Sequence, residues 1–252
     1  MRPNPVRQKL RAGGTAYGIM AAEFFTPGFC QIAGDAGAEF VIFDMEHGGV
    51  GIDVLKAQIA FARGTGISPF VRVPGLAYHL IAPVLDAGAM GIMVPMIETR
   101  EQAENLARWC RYSPEGVRGL GFGAGHDDYR GGNIVEAMGL ENDRTLVIAL
   151  IETAAGIANA DAILSVPGID VGWLVIMISP TPWVSPPNST IRNSMRRWTF
   201  CSRPAANMVK RRAISRHRWR WRASGATRAF AVSAMEPILA CSRPPSLTRC
   251  GH

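Results

Sequence analysis

Six short apolar runs recur along residues 14–174, and polar or glycine-bearing turns bound each of them. They are AYGIMAA (16–22), FVIFDME (40–46), PFVRVP (69–74), GIMVPMI (91–97), LVIALIE (146–152) and VGWLV (171–175). A strand that is apolar at nearly every position is covered on both faces, which is the condition of a parallel sheet flanked by helices. The intervening segments carry the helical period. Ile52, Leu55, Ile59 and Ala62 share one face of 51–63, and Ala103, Leu106, Ala107 and Cys110 share one face of 100–111. Thr99 and Gln102 have the spacing of a capping box at the start of the second helix. Glycine turns at 33–37, 85–88 and 166–170 end the helical patterns. The expected fold is α/β, a TIM (β/α)8 barrel, with a doubly wound sheet as the alternative. No internal sequence repeat accompanies the structural one.

Barrel enzymes place their reacting groups at the C-terminal ends of the strands, and polar residues gather there. His47 follows the second strand, just after Asp44 and Glu46. Arg72 ends the third, Glu98 follows the fourth and Glu152 ends the fifth; Asp86 follows the third helix. Histidine transfers protons near neutral pH, arginine binds carboxylates or steadies an oxyanion, and a strand-end glutamate suits a hard divalent cation. Each also has a plainer role as a cap or a solvated loop residue, and Glu98 is assigned to the helix N-terminus it precedes. The stretch 113–145 is long, polar and glycine-rich, which is expected of a functional loop. Its GLGFGAG is not a dinucleotide-binding turn, because no strand precedes it.

Taken together, VIFDMEHGG (41–49), PFVRVPG (69–75), LDAGAMGIMVPMIETREQAE (85–104), RYSPEGVRGLG (111–121) and LIETAAGIANADAILSVPGIDV (150–171) resemble the HpcH/HpaI aldolase family over roughly residues 10–174. The resemblance implies a metal-dependent class II pyruvate aldolase on a TIM barrel. It implies His47 as the acid/base, acting through a metal-bound water, with Asp86 as its dyad partner. Arg72 would bind the pyruvyl oxygen and stabilise the enolate. Glu152 would be one of two carboxylate ligands to Mg, Mn or Co. The substrates implied are a small 2-oxo acid and an aldehyde, and the assembly implied is a homo-oligomer, a hexamer. Leu150 stands where some members carry Gln, which leaves the substrate open. Related barrels cleave citryl- or malyl-CoA, but 1–174 shows no obvious basic cluster for coenzyme A.

The second metal ligand of the family is an Asp just past the sixth strand, in a G-x-x-D-L-S-x-x-L-G pattern. This chain has VIMISPTPWV there, so the ligand expected near Ile178 is absent. The genetic code offers a reason. Reading each codon from the last base of the one before, the Met177/Ile178 junction must encode Asp, and Trp183/Val184 and Met235/Glu236 must each encode Gly. The neighbouring junctions permit the rest of the family pattern. Residues 1–174 are therefore expected to be an incomplete aldolase barrel. Residues 175–252 are expected to be a frame-shifted, non-native tail that leaves the last two strands missing or disordered and the activity of this chain doubtful.

Charge follows the same boundary. The chain carries +7 overall, distributed as about −6 over 1–174 and +13 over 175–252. An alternative reading makes the tail, with its SRHRWRWR (215–222), a nucleic-acid-binding arm on an inactive half-barrel. Frame-shifted translation accounts for the composition more simply, so nucleic acid is not the expected partner. No apolar run approaches the roughly 18 residues of a membrane helix, and the N-terminal segment lacks the apolar core of a signal peptide. Five cysteines without ligand spacing suit a reducing, cytoplasmic setting.

Overall fold

The structure, a computed structural model, describes residues 1–175 and the backbone of residues 218–223 and 226–233. Six strands run parallel and pair in chain order: β1 (Gly18–Ala21), β2 (Phe40–Asp44), β3 (Ser68–Arg72), β4 (Gly91–Val94), β5 (Leu146–Ile151) and β6 (Val171–Val175). A doubly wound sheet reverses its strand order part-way, and this one does not. Between the strands lie α2 (Phe29–Asp35), α3 (Ile52–Ala62), α4 (Tyr78–Asp86), α5 (Arg100–Trp109), α6 (Ile134–Arg144), α7 (Ala154–Ala158) and α8 (Ala160–Leu164). The first helix, α1 (Pro5–Arg11), precedes them all.

Strand parity divides the core in two. Val41, Phe43, Val71, Ile92, Val94, Val147, Ala149 and Ile151 pack against the helices. The alternate residues Phe40, Ile42, Phe70, Met93, Ile148, Leu150 and Val171, from five strands, meet in a second cluster. Side chains of five successive strands converge on one face only if the sheet curls, so the six parallel strands form a half-barrel with its own interior. The α1 helix closes the N-terminal end of that interior. Val6 joins the inner cluster, and Asn4 Nδ2 donates to the carbonyls of Met90 (2.8 Å) and Arg144 (2.9 Å).

All six expected strands are present, with β1 and β4 the most shortened relative to their apolar runs. In β4 the reason is local: Pro95 has no N–H to give the ladder, and Met96 turns the chain at φ 55°. The capping box is formed, with Thr99 accepting from the Gln102 N–H and Gln102 Oε1 accepting from Thr99. The stretch 113–145 is not loop throughout. Its last third is α6, capped by Asn133, whose Oδ1 accepts from Val135 and Glu136. Gly139 and a mixed polar face hide that helix from a periodicity search.

Among the described residues no seventh or eighth βα unit follows β6, in line with the expectation that the last two barrel strands are missing. Backbone strands β7 (Arg218–Ala223) and β8 (Ala226–Ser233) extend the sheet past β6 in the order β6-β8-β7. They are not two further βα units, however. β8 lies parallel to β6, but β7 is antiparallel to β8, because a two-residue connection allows only a hairpin and a parallel return needs a crossover. Among the described residues no ladder joins β1 to β7, so the barrel is not closed. Part of the basic 215–222 stretch thus lies on β7, and residues 176–217, 224–225 and 234–252 are outside the described residues.

Candidate active site

The inward parity of each strand carries on past the apolar layers and becomes polar at the C-terminal end. On β2 the inward series Phe40, Ile42 is followed by Asp44 and then Glu46. On β3 Phe70 is followed by Arg72, and on β5 Ile148 and Leu150 by Glu152. Register sets Asp44 directly beside Arg72. Arg72 Nε lies 2.8 Å from Asp44 Oδ1 and Nη2 2.6 Å from Oδ2, a two-pronged pair with side chains only 7% and 1% exposed. Asp44 Oδ1 also accepts the N–H groups of Glu46 (3.0 Å) and His47 (3.3 Å), so one carboxylate shapes the turn and aims the guanidinium. Burial alone would raise the Asp44 pKa, but the Arg72 pair and the two N–H groups outweigh it and hold the carboxyl below its ordinary value. Burial opposes the Arg72 charge, yet Asp44, Glu46 and Glu152 together raise its pKa above the usual arginine value.

Around this pair stand three more groups. Glu46 Oε2 lies 3.2 Å from Arg72 Nη1 and is buried without a hydrogen-bond partner. His47 is 68% exposed, with Nε2 3.9 Å from Glu46 Oε2. Glu152 Oε1 accepts the Met96 N–H at 3.0 Å, the bond that the left-handed turn at Met96 makes available. Burial, helped by the negative charge of Glu46, raises the Glu152 pKa despite the Met96 N–H, Arg72 and His47. Gly48 is required beneath them: a Cβ there would lie 2.4 Å from the Asp44 carbonyl oxygen and 2.6 Å from that of Ala22. Two carboxylates close enough to feel each other's charge, one with an orphaned buried oxygen, fit a hard cation that keeps several waters. Among the described residues no group of three ligating side chains gathers, so these two are what the described residues would contribute to such a site.

Residues 22–179 match the profile of the HpcH/HpaI aldolase/citrate lyase family. The chain belongs to that family. It is 35% identical over 170 residues to a hydroxypyruvate/pyruvate aldolase of Roseobacter denitrificans, covering 66% of this chain and 64% of the relative. It is 37% identical over 172 residues to a 4-hydroxy-2-oxovalerate aldolase of Novosphingobium aromaticivorans, covering 68% and 64%. The chain thus spans slightly less than two thirds of either relative's length. The crystal structure of an HpcH/HpaI aldolase from Desulfitobacterium hafniense superposes with a TM-score of 0.66 at 26% identity, over 76% of this chain and 69% of that one. The profile match ends just past β6, where the sequence changes character.

Within this HpcH/HpaI chain, His47, Arg72 and Glu152 lie near one another at or past the C-terminal ends of their strands. Asp86 does not join them. It is the last residue of α4, which runs back along the sheet, so it lies at the N-terminal end of the strands. Its Oδ1 is held by Arg118 Nη2 at 2.6 Å, and no hydrogen bond or ion pair among the described residues links it to His47. Glu98 stays with the α5 terminus, its N–H donating to Gln102 Oε1. The second ligand expected near Ile178 lies outside the described residues. Sequence reasoning passed over Asp44 and Glu46, although continuing the inward parity of Phe40 and Ile42 would have found both. Among the described residues no helix is long and apolar enough to cross a membrane.

Proposed function

We propose that this site is the half-built centre of a metal-assisted carbon–carbon lyase that cleaves a 4-hydroxy-2-oxo acid to pyruvate, or a close analogue, and an aldehyde. The observation that carries the reading is the Arg72 guanidinium, fixed by Asp44 and flanked by Glu46, Glu152 and His47 at the mouth of the half-barrel. Two of its five N–H groups are taken by Asp44. The terminal nitrogens keep donors for a substrate oxygen, already oriented and partly dry, the condition under which such donors favour developing negative charge. Cleavage removes the proton of the 4-hydroxyl, breaks the C3–C4 bond, and leaves its electron pair in the enolate of the 2-oxo acid. Arg72 steadies the enolate oxygen. His47, exposed at the rim, exchanges the proton that leaves the hydroxyl and the one that later reaches C3. Glu46 and Glu152 would hold a divalent cation such as Mg, Mn or Co, which supplies Lewis-acid polarisation of the 2-oxo group. The two relatives named above are aldolases, which supports the reaction class and leaves the aldehyde partner open.

Residues 175–252 bear on whether the present chain turns over. The forced Asp at the Met177/Ile178 junction supports a shifted reading frame and, with it, a missing ligand. The test has two arms. Resequencing the coding DNA across codons 170–185 should show one base lost or gained. Pyruvate release from 4-hydroxy-2-oxo acids should be weak for this 252-residue chain and metal-dependent for the frame-restored one. Full metal-dependent turnover by the present chain would overturn the reading that the site is half-built. An inactive frame-restored protein with intact fold would overturn the lyase assignment.

A further inference from the structure

A second concentration of charge lies at the opposite end of the strands. A cavity of about 170 Å³ opens between α1 and the last turn of α6, lined by Arg2, Asn4, Arg7, Arg11, Asp143 and Arg144 among others. Four arginines face one carboxylate across it. Acids behind the walls answer part of this charge. Arg2 pairs with Asp128 (3.3 Å), Arg7 with Asp143 and Asp170 (3.1 and 3.0 Å), Arg11 with Asp143 (2.5 Å) and Arg144 with Glu141 (2.8 Å). But those acids are shared. Arg63 also draws on Asp128, Arg111 on Asp170, and Arg118 on Glu141 and Asp86. Seven guanidinium groups therefore share five carboxylates, an excess of two positive charges.

The deficit shows atom by atom. Arg144 is only 2% exposed, and its Nε and Nη1 are buried with no hydrogen-bond partner. Arg7 Nε and Arg2 Nη2 are in the same condition. Leaving buried charged donors unmet is costly. Burial, with repulsion from Arg63 and Arg144, lowers the Arg2 pKa even against Asp128. A planar guanidinium fork matches a tetrahedral oxyanion better than it matches a point charge, and a phosphate near neutral pH carries close to the two negative charges that are lacking.

We propose that this basal cavity binds a phosphate group, either free orthophosphate or the phosphate end of a small phosphomonoester. The bound group ties α1, through Arg7 and Arg11, to the end of α6, through Arg144. It touches none of Asp44, Glu46, His47, Arg72 or Glu152, and at the N-terminal face of the strands it contributes to stability. The inference stands independently of the lyase reading.

The test uses the full chain. Thermal unfolding is followed in potassium phosphate and in potassium chloride of equal ionic strength, and phosphate binding is read directly from ³¹P line widths. The expected result is a saturable rise in Tm with phosphate that chloride does not reproduce, together with broadening of the ³¹P line. Glycerol phosphate separates the sources: binding as tight as orthophosphate points to a phosphomonoester, and no binding points to the free ion. Arg2→Gln with Arg11→Gln removes two partly exposed wall residues and should weaken phosphate binding about ten-fold or more. Equal affinity in that variant, or a Tm rise matched by chloride, overturns the proposal. If the variant does not fold, the parent protein decides alone, and ³¹P broadening abolished by chloride at equal ionic strength overturns it.

Discussion

Removing both members of the Asp44–Arg72 pair should cost well under the sum of removing each alone. The two side chains are 1% and 7% exposed and meet through contacts of 2.8 and 2.6 Å. Replacing one partner of such a pair leaves the other buried and uncompensated, at a cost of about 3–5 kcal/mol. Asp44→Asn keeps an acceptor for the Glu46 and His47 N–H groups, and Glu46 still attends Arg72, so its cost belongs near the lower end. Asp44→Ala also strands those two N–H groups, at about 1 kcal/mol each, and belongs at the upper end. Arg72→Met leaves Asp44 charged among the same N–H groups and should cost about 3 kcal/mol. The double variant Asp44→Asn with Arg72→Met buries no net charge at the pair and should cost well under the sum of its parts, with a coupling of about 2 kcal/mol. The assay is urea unfolding followed by circular dichroism, with midpoints compared at unchanged slope. The pH dependence supplies a second reading. Since the native Asp44 pKa lies below its ordinary 3.8, its contribution is present above that value and is lost as pH falls further. The gap between parent and Asp44→Asn should therefore close below about pH 4. Additive single costs, or single variants within about 1 kcal/mol of the parent, would show that the pair does not hold the site together as described.

Two further outcomes follow from the same geometry. A cation held by Glu152 displaces its proton, and because the native pKa of Glu152 is raised above 4.5, Mn²⁺ affinity should begin to fall at a pH higher than an ordinary glutamate would give; an unchanged profile in Glu152→Gln would remove Glu152 from the ligand set. Cys30 and Cys110 are buried with thiol pKa values pushed up to about 11 and about 12, so with Cys201, Cys241 and Cys250 changed to Ser, thiol labelling should occur only on unfolding; rapid labelling of the native protein would show that the core opens locally.

What could be read from the sequence depended on whether a residue's role is local or set by a distant partner. The apolar runs, the Thr99 box and the strand-end positions of Arg72 and Glu152 are local properties, and the structure has them where the chain suggested. Glu46 was visible as a letter but not as a site residue, since its importance comes from Arg72 on the next strand and Glu152 three strands away. Asp86 is the opposite case. Family resemblance attached a role to its position, whereas the course of α4 puts it beneath the sheet with Arg118. The basal arginines were unreadable for the same reason as Glu46. Arg2 and Arg144 are distant in sequence and meet only because α1 folds across the open end of the half-barrel.

The hairpin beyond β6 explains how a sheet of only six βα strands can still present an ordered mouth. An uncovered parallel edge at β6 would expose a row of unpaired N–H and C=O groups, a liability for any sheet. β8 pairs with the whole of Val171–Val175 and moves the open edge outward to the antiparallel β7, whatever sequence it carries, because ladder bonds are made by backbone. The same substitution cannot restore chemistry. The centre needs particular side chains beyond the C-terminal end of each strand, and β2, β3 and β5 supply theirs within the first two layers of the mouth. Backbone pairing is generic and side-chain chemistry is specific. A chain whose sequence changes character after β6 can therefore keep the half-barrel, the Asp44–Arg72 clamp and the neighbouring Glu46 and Glu152 while lacking the ligand that the proposed site expects after its sixth strand. Restoring the reading frame should then change turnover by orders of magnitude while leaving the stability of the Asp44–Arg72 pair nearly as it was, a dissociation that urea unfolding and pyruvate release, measured on the same two proteins, would expose.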